Sequence, residues 1–153
     1  MEKEIILVPV SKKFKEWPIP LLLAGLIFGE ARGCQATAKI AVAFTVLNRV
    51  EAQTWFGETH HAVMLKKWQY SCFNRGDPNR KKILNPLDYE PLEVWQECYQ
   101  LAEGILEGKF LDPTTKYGKE GGTHYFDRSL QSPPKWAGQL EFKTQIGPFS
   151  FYG

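Results

Sequence analysis

The chain has 153 residues, 43% of them hydrophobic and 24% charged, which is enough for one sizeable core without covalent staples. Its net charge of +2, from 19 basic and 17 acidic residues, is too small to argue for a nucleic-acid partner. Cys34, Cys72 and Cys98 are widely spaced and odd in number, so they form no disulfide framework and fit synthesis in a reducing compartment.

From the N-terminus, residues 3–10 read as a short strand or extended arm, and Lys12, Lys13, Lys15 and Glu16 as a polar link. The run 5–10 is short, starts acidic and contains Pro9, so no signal peptide is visible. Pro18 and Pro20 punctuate, and a helix can begin beside Pro20, where a missing N–H costs nothing. Leu21, Leu22, Leu23, Ala24, Leu26, Ile27 and Phe28 leave no polar face, which predicts a buried helix with Gly33 as its stop. The run 19–28 falls short of the roughly 20 residues that span a bilayer, so no stable membrane insertion is expected. Thr37 is the expected N-cap of a second helix that carries Ile40, Ala41, Val42, Ala43, Phe44, Val46 and Leu47 inside. The two helices make a helical hairpin. Asn48 and Arg49 are the first strongly polar residues after this run, and Asn48 invites a hydrogen-bonding role towards the protein or a ligand.

Residues 54–67 read as a loop and a short helix with Ala62, Val63 and Leu65 inward. Residues 68–73 alternate large and small polar groups, which predicts an extended segment. Residues 74–90 carry Asn, Gly, Asp and Pro and predict a long loop. Pro91 opens a third strong helix; Leu92, Trp95, Cys98, Tyr99, Ala102, Ile105 and Leu106 recur at helical spacing, and Gly108 closes it. Past Asp112 the expectation is a strand at 123–126 and a rigid turn, Pro133-Pro134-Lys135-Trp136, presenting an indole. A half-buried strand follows with Leu140, Phe142, Thr144 and Ile146 inward, then a turn at Gly147-Pro148 into 149–152. Helices first and a small antiparallel sheet last make an α+β fold. One domain is expected over 1–153, an arm at 1–17 and a core at 18–153.

The chemistry points to Glu30, at the end of the Leu-rich helix. Cleaving a glycosidic bond needs a carboxylic acid still protonated near neutral pH, whereas a free Glu titrates near about 4.3. Burial among apolar side chains and the negative end of a helix dipole both favour the neutral form. The alternative is a solvated carboxylate paired with Arg32 or Arg49.

Gly29-Glu30-Ala31-Arg32-Gly33, Ile40-Ala41-Val42-Ala43 and Val46-Leu47-Asn48-Arg49-Val50 resemble the opening of the spore-cortex-lytic enzyme family of cell-wall hydrolases. Gln69-Tyr70-Ser71-Cys72, Gly122-Thr123-His124-Tyr125-Phe126, Pro134-Lys135-Trp136, Ile146-Gly147 and Phe151-Tyr152 resemble later motifs of that family, in the same order. The resemblance covers about residues 22–152. It implies a lysozyme- or transglycosylase-like fold with a helical core. It implies cleavage of the bond between N-acetylmuramic acid and N-acetylglucosamine in peptidoglycan, with the catalytic glutamate at Glu30. Two positions depart: Cys34 stands where the family commonly has a second acidic residue, and Phe149 where its closing motif often has a histidine.

Asp112, Glu120, Asp127 and Glu141 fall in expected loops or on solvent-facing strand positions, so no second catalytic carboxylate emerges. A single acid suits a lytic transglycosylase, in which the sugar's own C6 hydroxyl closes onto C1; a hydrolytic muramidase wants a second carboxylate about 5–9 Å away. Asn48, Gln69, Ser71, Thr123 and His124 are candidate partners for sugar hydroxyls and acetamido groups, and Tyr125 and Trp136 for sugar faces. No cofactor is expected. No metal site is expected either, because His60, His61, His124 and the cysteines match no metal-ligand spacing. The rival outside enzymology is a non-catalytic glycan-binding module. The expected partner is a peptidoglycan glycan strand met by a monomer. Without a visible signal, the chain is expected to reach the wall by another route, such as release through a phage lysis pore.

Overall fold

The computed structural model of the chain describes residues 7–115, 120–130 and 132–153. Among the described residues five α-helices come first: α1 (Ile19–Ala31), α2 (Ala36–Ala52), α3 (His60–Leu65), α4 (Pro78–Leu84) and α5 (Leu92–Leu106). Three strands follow, β1 (His124–Asp127), β2 (Phe142–Ile146) and β3 (Phe149–Tyr152), in an antiparallel sheet of order β1-β3-β2. The fold is α+β, with β1 at one edge of the small sheet.

The expected buried helix is α1, with Leu22, Leu23, Leu26, Ile27 and Phe28 fully enclosed. It is apolar on all sides, so it must be covered on all sides. It packs against α2, α3, α4 and α5. Gly25 and Gly29 let neighbours come close. A methyl group on Gly29 would meet Ile83 Cδ1 at 2.6 Å and Cys72 Cβ at 2.7 Å. That approach seats Cys72 beside the end of α1, next to Glu30.

The stop of α1 differs from expectation. Gly33 is not in the left-handed region, and Arg32 keeps right-handed angles. Instead Arg32 Nη1 donates back to the Phe28 carbonyl at 3.1 Å and to Asn79 Oδ1 at 3.0 Å, while its Nε meets Glu90 at 3.3 Å. Arg32 is thereby tied to Glu90. Helix α2 starts after Gln35, with no side-chain cap bond, so Thr37 is not the cap. Ala38, Ala41, Val42, Thr45, Val46 and Arg49 are buried along it, spaced as one helical stripe.

Two further expectations are corrected. Residues 68–73 are not extended: Ser71–Phe73 form a 3-10 turn, which buries the adjacent Cys72 and Phe73 together. The expected long loop contains α4, started by Asp77, whose side chain accepts from the Asn79 N–H at 2.8 Å, with Pro78 in its first turn. In α3, Val63 and Met64 are the buried pair, Ala62 faces out and Leu65 is half-buried. The Trp95 indole donates to the Leu7 carbonyl at 2.8 Å; residues 7–10 form no strand, and residues 3–6 of the expected arm lie outside the described residues. In β2 a register shift between Phe142 and Thr144 breaks the alternation, so Phe142 is exposed and the Lys143 side chain is buried.

Candidate active site

Glu30 closes the last turn of α1 and is half-buried. Three donors reach its carboxyl: the Cys72 main-chain N–H, the Cys72 thiol and the Tyr125 hydroxyl. Burial pushes the Glu30 carboxyl above its ordinary value of 4.5; the Cys72 bonds and the Tyr125 hydroxyl pull it back, and Asp77 adds to the rise. Burial wins. Its neighbours stay protonated donors for the same reason. Burial, then the Glu30 charge, holds both the Cys72 thiol and the Tyr125 hydroxyl well above their ordinary ranges. Among the described residues, Glu30 forms no ion pair. Arg32 is engaged with Glu90, and Arg49 with neutral oxygens.

Glu30 lines a cleft of about 630 Å³, the size of a small-ligand site. Of the residues expected from the sequence, Gln69, Ser71, His124, Tyr125 and Trp136 line the same cleft. Tyr125 comes from β1, and its ring packs on Phe149 and Phe151 at centroid distances of 5.2 and 5.7 Å. The His124 ring lies 4.9 Å from Trp136, and burial followed by the Arg49 charge lowers its pKa to about 4. It is therefore a neutral hydrogen-bonding group near pH 7. Its Nδ1 lies 3.0 Å from the Thr123 hydroxyl.

Asn48 and Thr123 open instead onto a neighbouring hollow of about 300 Å³ with Glu51, Asp112 and Glu120. Asn48 Nδ2 is already bonded to Asp112 Oδ2 at 2.8 Å and to the Gly122 carbonyl at 2.9 Å. Its role in the fold is to tie α2 to the chain entering β1.

The cleft holds four further residues of note: Arg49, Trp55, Trp68 and Asp127. Trp55 and Trp68 are 59% and 72% exposed, unusually open for indoles. Trp68 also has φ 71°, a left-handed conformation that costs a bulky side chain strain. Lys66 and Lys67 lie over these two rings at 5.0 and 5.1 Å. Asp127 sits exposed at the end of β1, with Oδ1 accepting from the Ser129 N–H at 2.8 Å. Among the described residues, no three His, Cys, Asp or Glu side chains gather to hold a metal, and all three cysteines are free.

The arrangement offers a carboxyl whose neutral form is favoured by burial, in an open cleft lined by indoles, by hydrogen-bonding side chains and by Arg49 and Asp127. That suits proton delivery to a hydroxyl-rich ligand with flat apolar faces. A family profile described as Cell Wall Hydrolase matches residues 33–152, a range that begins just after Glu30. No curated protein and no solved structure matches the chain.

Proposed function

The chain belongs to the cell-wall hydrolase family, an enzyme family acting on peptidoglycan, and from that premise we propose that Glu30 is the proton donor that cleaves the glycan strand between N-acetylmuramic acid and N-acetylglucosamine. The observation that carries this reading is the setting of one carboxyl: raised by burial, held by three donors and open to a cleft. In the first step the Glu30 proton passes to the glycosidic oxygen and the bond from C1 to that oxygen breaks. The sugar left behind has oxocarbenium character. The Glu30 carboxylate so formed is stabilised by Cys72 N–H, Cys72 S–H and Tyr125 O–H.

The same carboxylate then takes the proton of the C6 hydroxyl as that oxygen bonds to C1. The product is a 1,6-anhydro end, Glu30 is protonated again, and no water is consumed. Gln69, Ser71 and His124 bond hydroxyl and acetamido groups, and Trp55, Trp68 and Trp136 stack on sugar faces. One observation favours a second reading. Asp127 lines the same cleft and is a candidate to activate water, which makes the enzyme a hydrolytic muramidase. Mass spectrometry of digested peptidoglycan separates these readings. Anhydro ends support the transglycosylase, reducing ends support the muramidase with Asp127, and freed peptides with intact glycan overturn the assignment of the cut to the glycan strand.

A further inference from the structure

Arg49 ends the buried stripe of α2 and is only 4% exposed. Its Nε donates to the Thr123 carbonyl at 2.7 Å and its Nη1 to Gln69 Oε1 at 3.0 Å. Its guanidinium lies 4.6 Å from the Phe56 ring centroid and 5.0 Å from that of Tyr70. Every one of these partners is neutral. The buried cation Lys39 has Glu97 at 2.9 Å and Arg32 has Glu90, but among the described residues Arg49 has no carboxylate partner. A guanidinium keeps its proton, and a charge withdrawn from water is costly unless it is paired.

The unpaired side of Arg49 has a direction. A guanidinium carries five N–H groups, and two are used here. Among the described residues no fully enclosed side-chain nitrogen or oxygen lacks a hydrogen bond, so Nη2, which has no partner among them, is not sealed from solvent. The opening is the cleft that Arg49 lines with Glu30. The other carboxylate lining that cleft, Asp127, is exposed at the end of β1 and forms no ion pair with Arg49. Tyr125, which holds Glu30, lies between Thr123 and Asp127 along the chain. The cleft that holds the proton donor thus carries one cationic and one further anionic side chain, Arg49 and Asp127.

We propose that Arg49 receives a carboxylate of the substrate, carried on the lactyl group of a muramoyl residue or on the peptide attached to that group. The inference rests on the reading of this cleft as a glycan site. A glucosaminyl residue has no charge to offer, so Arg49 tells the two alternating sugars apart and sets which linkage lies over Glu30. The missing partner of the buried cation is supplied by the ligand.

The test is calorimetric binding to Glu30→Gln protein, which prevents turnover. The probes are chitotetraose, an alternating muramoyl tetrasaccharide with free lactyl carboxylates, the same tetrasaccharide as its lactyl methylamide, and the same carrying an alanyl-glutamate stem. The free acid or the stem-bearing form is expected to bind about tenfold or more tightly than the methylamide, as for a charge-assisted pair. Which of the two binds best identifies the source of the carboxylate. In Arg49→Gln the preference falls to within about twofold, and in Arg49→Lys, which keeps the charge and loses the fork, it is intermediate. Equal binding of all four probes to protein with Arg49 intact overturns the inference and leaves the glycan site standing; this arm needs no Arg49 variant to fold. Failure of every saccharide to bind overturns both.

Discussion

Replacing Glu30 with glutamine separates the chemistry of its carboxyl from its shape. Glutamine is nearly isosteric, and its amide oxygen still accepts from the Cys72 N–H and the Tyr125 hydroxyl that hold Glu30. What is lost is the transferable proton. General acid catalysis contributes about 10²–10⁴ in rate, or about 3–5 kcal/mol of barrier, so clearing of purified peptidoglycan should fall by that factor. Stability should move the other way. The folded Glu30 carboxyl is raised above its ordinary 4.5 by burial, so the folded chain holds this proton to higher pH than the unfolded chain does. Stability from that difference is complete below the unfolded value and is lost as pH rises through the folded value. Glu30→Gln has no such loss. Urea denaturation should therefore find the variant and the parent alike near pH 4 and the variant more stable at pH 8. Retention of most of the clearing activity refutes the proton-donor role. A stability difference of equal size at both pH values refutes the account of a buried, ionisable group.

Three further outcomes are expected. Trp68→Gly removes an indole that is 72% exposed and relieves a left-handed backbone at φ 71°, so Tm should hold or rise while KM on glycan rises about three- to tenfold from lost stacking; an unchanged KM excludes Trp68 from the binding wall. His124 titrates near about 4 rather than 6.5, so the stability it contributes is present above pH 6.5 and drains as pH falls towards 4. After discounting for its half-exposed ring, His124→Gln should remove about 1–2 kcal/mol of the stability lost between pH 7 and pH 4 in denaturant titrations, and parallel pH profiles contradict this. Gly29→Ala drives a methyl group to 2.6 Å from Ile83 and 2.7 Å from Cys72, which should cost about 1–3 kcal/mol and lower kcat by moving Cys72 off Glu30; an unchanged Tm in a thermal melt shows that the contact gives way freely.

The parts legible in the sequence were those with long, strong patterns. Helices α1 and α5 announce themselves through apolar runs, and Gly147-Pro148 marks the hairpin between β2 and β3. Helix α4 escaped because Ile83 is its one buried residue, which is too little periodicity to outweigh Asp77-Pro78 read as loop punctuation. The inward face of β2 was misread at Phe142 because a bulge reverses alternation with no marker in side-chain type. At the site, Glu30, Gln69, Ser71, His124, Tyr125 and Trp136 were named from local sequence and share one cleft. The thiol and main-chain donation from Cys72 to Glu30 was out of reach, because it depends on Gly29 admitting the 3-10 turn against α1. Trp55, Trp68 and Asp127 were missed because an exposed aromatic or an exposed carboxylate leaves no periodic trace. Asn48, at the end of an apolar helix, reads as a hydrogen-bonding group towards the protein or a ligand, and its Nδ2 bonds Asp112 and the Gly122 carbonyl.

The claim on which the account turns is that the Glu30 carboxyl stays neutral to higher pH than a free glutamate. Carbon-13 NMR titration of labelled glutamate carboxyls measures it directly, with the Glu30 resonance assigned by its absence from Glu30→Gln. The account predicts a midpoint above 4.5 in the folded protein. A midpoint at or below that value contradicts it.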